Sequence, residues 1–334
     1  MSGVKLITVV QEEDNMRLDR WFKVHFPQLP HAMLNKMLRK GEVRVDKGRA
    51  KISTRLTLGQ EVRVAPFKLA DPSQGDQGPS GPAAALSKAE RKKFQDMVLF
   101  EDKYLLVLNK PSGLAVQGGS KTTRHVDGML MGLEKEFHDR PRLVHRLDRD
   151  TSGVLVIAKR RSIASKLGKM FQTRTVRKFY WAAVRGVPEP EQGRIDMSLV
   201  KAESAYGERV RPASANDPNG QKAVTHYSVI DRAGEELSWV SLKPVTGRQH
   251  QLRAHMAFTD TPILGDQKYG DHEPLPDGVA DKLHLHARRI SFPHPHGGEV
   301  DVTAPLPEHM RKTWNYYGFD PHRYDEDEEN AELS

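Results

Sequence analysis

The chain has no cysteine among its 334 residues. That excludes disulfides and thiolate metal sites, and it suits a reducing compartment. No apolar run approaches the roughly 20 residues of a membrane-crossing helix. The first residues, MSGVKLITVVQEEDN, lack the basic n-region, long apolar core and cleavage site of a secretory signal. Acids at Glu12, Glu13 and Asp14 argue against a transit peptide, which is acid-poor. The expectation is a cytoplasmic protein with no membrane anchor.

Acids are outnumbered by Lys and Arg, 44 to 52, and six of them crowd into the last ten residues, which hold no Lys or Arg. The net charge is +8, so setting aside those six negative charges leaves +14 on residues 1–324. A body this basic calls for a polyanionic partner, of which nucleic acid is the commonest. Solubility is the alternative explanation, and clustering of the basic residues separates the two.

Residues 70–88, ADPSQGDQGPSGPAAALSK, carry three Gly and three Pro with no apolar period, as a flexible linker does. We expect a small domain over 1–68, a linker over 69–92, a catalytic-sized domain over 93–318 and an acidic disordered tail over 319–334. In the small domain, Leu18, Trp21, Phe22 and His25 recur at helical spacing, as do Met33, Leu34, Met37 and Leu38, with Gly41 as a stop. EVRVDKGRAKI then alternates and turns at Lys47-Gly48, and GQEVRV supplies a last strand. Residues 36–63 hold nine Lys or Arg against three acids, the electrostatics of a phosphate-backbone binder or of a solvated charged face. In the larger domain, strand-like runs recur without a βαβ rhythm: LLVL, GVLVIAK, KFYWAAVRG, AVTHYSVI, LSWVSLKPV and LHLHARRISF. The fold class is therefore α+β, with a mixed, largely antiparallel sheet and flanking helices.

Three stretches carry candidate chemistry. In HRLDRDTSGVLVIAK, residues 145–159, a turn at Thr151-Ser152-Gly153 leads into a buried strand, so Asp148 lies in a loop between core elements. A carboxylate beside arginines stays ionised at neutral pH and serves as a nucleophile or as half of a structural ion pair. In TGRQHQLRAHMAF, residues 246–258, the residues after Gly247 read as a helix too polar for a core, with His250 and Arg253 three apart on one face. His250 and His255 are five apart, poor helical geometry for two metal ligands, and no H-E-x-x-H occurs, so no metal site is expected. Residues 159–178 hold eight Lys or Arg and no acid, with Ile163, Leu167, Met170 and Phe171 as a helical stripe. The strand that follows puts Tyr180, Ala182 and Val184 on one face, where Tyr180 is a core aromatic or a platform for a nucleobase.

HRLDRDTSGVLVIAK resembles the signature of the RluA-type pseudouridine synthases. NKPSGLAVQGGS (109–120), RKFYWAAVRG (177–186), TGRQHQLRAHM (246–256) and LHLHARRISFPHP (283–295) are similar to the family's other blocks, in the same order. RLDRWFKVHFP, LNKMLRKGEVRVDKGR and TRLTLGQEVRV resemble the small alpha-L RNA-binding domain first seen in a ribosomal protein of the small subunit. Asp46-Lys47-Gly48 departs from the usual Asn-Gly, and Gln60 from the usual Asp. AVQGGS is most similar to the RluC group, with Gln117 where that group often has His.

The resemblance implies a catalytic Asp148, a base-stacking Tyr180 and an Arg253 that pairs with Asp148; it gives Asp150 no role. It implies isomerisation of uridines in large-subunit ribosomal RNA, with no cofactor, by a monomer. Attack on C1′, addition to C6 and abstraction of a sugar proton all remain open for Asp148. The basic side chains expected to meet RNA are Arg39, Lys40, Arg44, Lys47, Arg146, Arg177, Lys178, Arg248 and His250. A ribosome-assembly factor without activity and an RNA-base glycosidase are the competing classes.

Overall fold

Helical and then alternating apolar spacing builds the first unit, Met1–Ser80. The computed structural model describes residues 3–67, 86–118, 124–137, 139–173, 175–204, 207–214, 216–270 and 273–322. The first unit runs β1 (Lys5–Thr8), α1 (Leu18–His25), α2 (His31–Lys40), β2 (Val43–Val45), β3 (Gly48–Arg49) and β4 (Glu61–Val64). Its sheet has the order β1-β4-β2-β3, all antiparallel. Leu18, Trp21 and Phe22 of α1 and Leu34, Met37 and Leu38 of α2 bury against Val43, Val62 and Val64. Gly41 ends α2 in the left-handed conformation, which only glycine adopts without strain.

The hairpin turns one residue earlier than its glycine suggests. Val45 pairs with Gly48, so Asp46 and Lys47 are the central residues, with φ of 48° and 65°. The Asp46 carboxylate accepts the amide of Glu61, at the start of β4, at 2.8 Å, a bond that helps an aspartate hold this conformation. Strand β1 was not anticipated, because of its four residues only Ile7 packs on the core and no alternation shows.

The second unit, Gly81–Ser334, opens with α3 (Lys88–Gln95). Ser87 accepts the Glu90 amide and Glu90 accepts the Ser87 amide, a capping box that makes residues 88–92 helix where linker was expected. The Gly- and Pro-rich part of that linker and the acidic end of the chain lie outside the described residues. Next come β5 (Val98–Glu101), β6 (Leu105–Lys110), α4 (Val126–Gly132), α5 (Glu134–Phe137), β7 (Arg142–Leu143) and β8 (Ser152–Ala158). Then follow α6 (Arg161–Gln172), β9 (Arg177–Arg185), β10 (Gln192–Asp196), β11 (Leu199–Ser204), β12 (Gly207–Pro212), β13 (Val224–Ala233) and β14 (Leu237–Pro244). The last are α7 (Gln251–Phe258), β15 (Leu285–Pro293), β16 (Glu299–Thr303) and α8 (Glu308–Tyr317).

The main sheet has the order β10-β13-β14-β9-β15-β8-β6-β5, with β16 beside β15 and β7 beside β8. Only β8 and β15 run parallel among its described pairs, so the fold is α+β with a mixed, largely antiparallel sheet. Strand β8 is buried on both faces. Val154, Val156 and Ala158 pack toward Ile163 and Leu167 of α6, and Leu155 and Ile157 toward Val126, Met129 and Leu130 of α4. Each of the Val, Leu, Ile and Met side chains among them contributes about 1.5–3 kcal/mol.

Ser152 and Gly153 belong to β8 rather than to a turn. Gly153 has φ 107°, and a Cβ there would sit 2.2 Å from the Ala287 carbonyl oxygen, so the glycine is required by the close approach of β15. At the other end, Phe319 is buried against Trp239 and Trp314, so the fold continues past residue 318 into the expected tail. Among the described residues no helix is long and apolar enough to cross a membrane.

Candidate active site

The loop from Val144 to Thr151 hands the chain from β7 to β8, and it lines a cleft of about 740 Å³ with β9 and the start of α7. Asp148, Tyr180, Arg253, His250, Lys178, Arg146 and Arg248 all line it. Arg177 sits exposed at the start of β9 and does not line the cleft. Arg39, Lys40, Arg44 and Lys47 belong to the first unit.

Asp148 is one-fifth exposed, and both its neighbouring bases approach the same oxygen. Arg253 Nη1 lies 3.5 Å from Oδ2, and His250 Nε2 lies 3.9 Å from it. The pairing of Arg253 with Asp148 is present, but it is the weaker of two. Arg253 Nε and Nη2 donate to Asp266 Oδ2 and Oδ1 at 2.7 and 2.6 Å, a buried two-pronged pair. Burial opposes charge on Asp266, but the Arg253 fork and the Lys268 and Tyr269 amides outweigh it and hold the carboxyl below its ordinary range.

Tyr180 is half-buried on the face it shares with Ala182 and Val184, as the strand alternation indicated. Burial, reinforced by the Asp148 charge, raises its phenol pKa, so Tyr180 is protonated at neutral pH. Burial also pulls Lys178 below its ordinary value. His145 has a structural duty: its Nε2 accepts the Val156 amide at 2.8 Å and its ring stacks on Phe171, tying the loop to β8.

Helix α7 is buried from Gln251 to Met256, contrary to its polar composition. Its polar groups are satisfied by partners both near and far along the chain. Gln251 donates to the Val224 carbonyl and the Thr225 hydroxyl and accepts from Thr246 and the Arg248 amide. His255 contacts Thr225 Oγ1 and the Met197 carbonyl, while His250 precedes the helix with φ 51° and contacts the Tyr269 hydroxyl. The two imidazoles therefore have separate surroundings. Arg248 was placed on the helix by spacing and instead lies ahead of it, donating to the Lys222 carbonyl.

Lys110 was not singled out from the sequence. It is fully buried, and its ammonium donates to the carbonyls of Pro111, Leu114 and Arg149 at 2.9–3.0 Å. With Ser112 donating to the Asp150 carbonyl, it staples the Asp148 loop to the end of β6. Burial brings the Lys110 pKa down to about 7. Asp266 and Tyr269 were also missed. Their only local signal is the polar turn GDQKYG after the apolar PIL.

In the first unit, strand register gathers arginines that sequence spacing scatters. Arg63 pairs with Arg44, and Arg44 with Arg49, so three guanidinium groups form one row across β4, β2 and β3. Directly opposed like charges cost stability, which an anionic partner relieves. Arg44 is pinned to the Gly41 and Lys47 carbonyls.

A family model described as RNA pseudouridylate synthase matches residues 104–258. The chain is 38% identical over 316 residues to the ribosomal large subunit pseudouridine synthase C of Haemophilus influenzae, covering 93% of this chain and 94% of that one. It is 36% identical over 317 residues to the Escherichia coli K12 protein of the same name, covering 93% and 95%. The solved structure of human RNA pseudouridylate synthase domain containing 4 superposes with a TM-score of 0.57 at 32% identity, over 67% of this chain and 94% of that one.

Proposed function

We propose that this chain, which belongs to the RNA pseudouridylate synthase family, isomerises specific uridines of large-subunit ribosomal RNA with Asp148 as its catalytic group. The supporting observation is that Asp148, Tyr180 and Arg253, from a loop, a strand and a helix, meet in one cleft. The names of the relatives support the large-subunit substrate. We place the enzyme in the cytoplasm, acting as a monomer.

The reaction breaks the C1′–N1 bond of uridine, turns the uracil and forms a C1′–C5 bond. The C5 proton leaves and N1 gains one, so nothing is oxidised or reduced. A base inside a helix cannot reach the carboxylate, so the uridine is flipped into the cleft, where Tyr180 stacks on the uracil. Arg146, Lys178 and Arg248 at the cleft, and Arg177 beside it, engage flanking phosphates. Asp148 acts at the junction of sugar and base.

Carbodiimide mapping of pseudouridine in large-subunit ribosomal RNA, from cells with and without the protein, tests this reading. At least one uridine should lose its modification in the deletion strain and regain it on incubation with purified protein. An unchanged map would overturn it, and release of free uracil would indicate a glycosidase.

The arginine row is proposed as a phosphate contact, alongside Arg39, Lys40 and Lys47. Replacing Arg49 and Arg63 together by Glu should weaken binding of a ribosomal RNA fragment at least about tenfold at low salt. The slope of log K against log salt should fall by about 2, one unit per lost phosphate contact. Filter binding across a salt series measures both quantities.

A further inference from the structure

Arg253 and His250 both approach Asp148 at the same oxygen, Oδ2, at 3.5 and 3.9 Å. Both groups are held by one short turn. Asp266 grips Arg253, and Tyr269 meets His250 Nδ1 at 2.9 Å. Asp266 also shapes the turn itself. Its Oδ1 accepts the Lys268 and Tyr269 amides at 2.8 and 3.0 Å, and its carbonyl accepts the Gly270 amide at 2.8 Å.

The donor directions along this chain follow from its members. The Tyr269 oxygen accepts the Val210 amide at 2.8 Å. Burial raises its pKa, so the hydroxyl keeps its proton and gives it to His250 Nδ1. Burial depresses the His250 pKa against the pull of Asp148, so the ring is neutral near pH 7. With Nδ1 accepting, the ring proton sits on Nε2, the nitrogen that faces Asp148.

We infer that the turn 266–270 aims the catalytic carboxylate. Asp266 acting through Arg253, and Tyr269 acting through His250, hold Oδ2 and so orient the carboxylate toward the flipped uridine. Asp266 and Tyr269 are positioning residues that touch no substrate. The contacts of 3.5 and 3.9 Å are longer than hydrogen bonds, so they orient Asp148 through charge. The inference rests on Asp148 being the catalytic group.

A double-mutant cycle tests it. Release of tritium from C5-labelled uridine in a large-subunit ribosomal RNA transcript reports turnover. Tyr269→Phe should lower kcat about tenfold with KM within about twofold, because misaimed groups cost rate rather than binding. His250→Ala should cost at least as much, and the double variant no more than His250→Ala alone. Asp266→Asn, which keeps the shape and removes the charge, should lower kcat on the order of 10²-fold. Losses that multiply in the double variant, or a wild-type kcat in Tyr269→Phe, would overturn the inference even if Asp266→Asn fails to fold. Asp148→Asn run in parallel separates the two readings. If it is inactive and the cycle is additive, only the positioning role falls; if it is active, the assignment of Asp148 falls.

Discussion

Asp148→Asn is expected to abolish pseudouridine formation, with a single-turnover rate lower on the order of 10³-fold or more, while RNA affinity stays within about twofold. Asparagine keeps the shape of the side chain and removes its charge, so the cleft should keep its form. Arg253 is not left without a partner, because its main one is Asp266. Removing a negative charge from a basic cleft does not weaken its hold on phosphates. The loss therefore falls on chemistry rather than on folding or binding. Asp150→Asn is the contrast: Asp150 pairs with the exposed Arg149 beside it, and exposed pairs of this kind are worth little. Its rate should stay close to that of the unaltered protein. Tritium release and filter binding on the same preparations check both variants, and a similar loss in both would mean that the loop as a whole matters rather than Asp148.

The two aspartates show what the sequence makes legible. Asp148 and Asp150 both adjoin Arg149, and only the resemblance of the surrounding blocks separated them. The face of Tyr180 was legible because a strand alternates strictly, and Ala182 and Val184 share its cluster. The partner of Arg253 was not legible. Asp266 lies 13 residues further on, in a turn whose position depends on tertiary approach, and no spacing rule reaches it. The burial of α7 was misread for a related reason. Polar residues argue against a core helix only when they lack partners, and Thr225, Val224 and Met197 sit 26 to 58 positions away. Gly153 was read as a turn because glycine and serine usually mark one; the close approach of β15 instead requires it.

Lowering the pH from 7 toward 4 is expected to unfold the second unit, and buried histidines are the main reason. Burial takes His286 and His145 to pKa values of about 3, and His284 to about 4. In an unfolded chain each titrates near 6.5. The folded values are depressed, so the stability is fully present above about pH 6.5 and is lost as pH falls toward the folded values. Between those limits the unfolded state binds more protons, and each histidine removes about 1.4 kcal/mol of stability per pH unit. Three such groups over two units approach the whole stability of an ordinary domain, about 5–15 kcal/mol. His286 is the informative one. Its Nδ1 lies 2.9 Å from the Ser152 hydroxyl and its Nε2 lies 3.2 Å from the Ala304 carbonyl, at the β8–β15 pairing directly behind the Asp148 loop. The carbonyl takes the ring proton, so Nδ1 accepts from Ser152, and a second proton there would turn that acceptor into a donor. His286→Gln should lower stability at pH 7 and also flatten its dependence on pH between about 6 and 4.5, by about 1.4 kcal/mol per unit. The difference in slope is insensitive to the lost contacts, which shift both curves by a constant. Urea unfolding midpoints at four pH values measure it, and parallel slopes for the two proteins would show that His286 does not drive the acid transition.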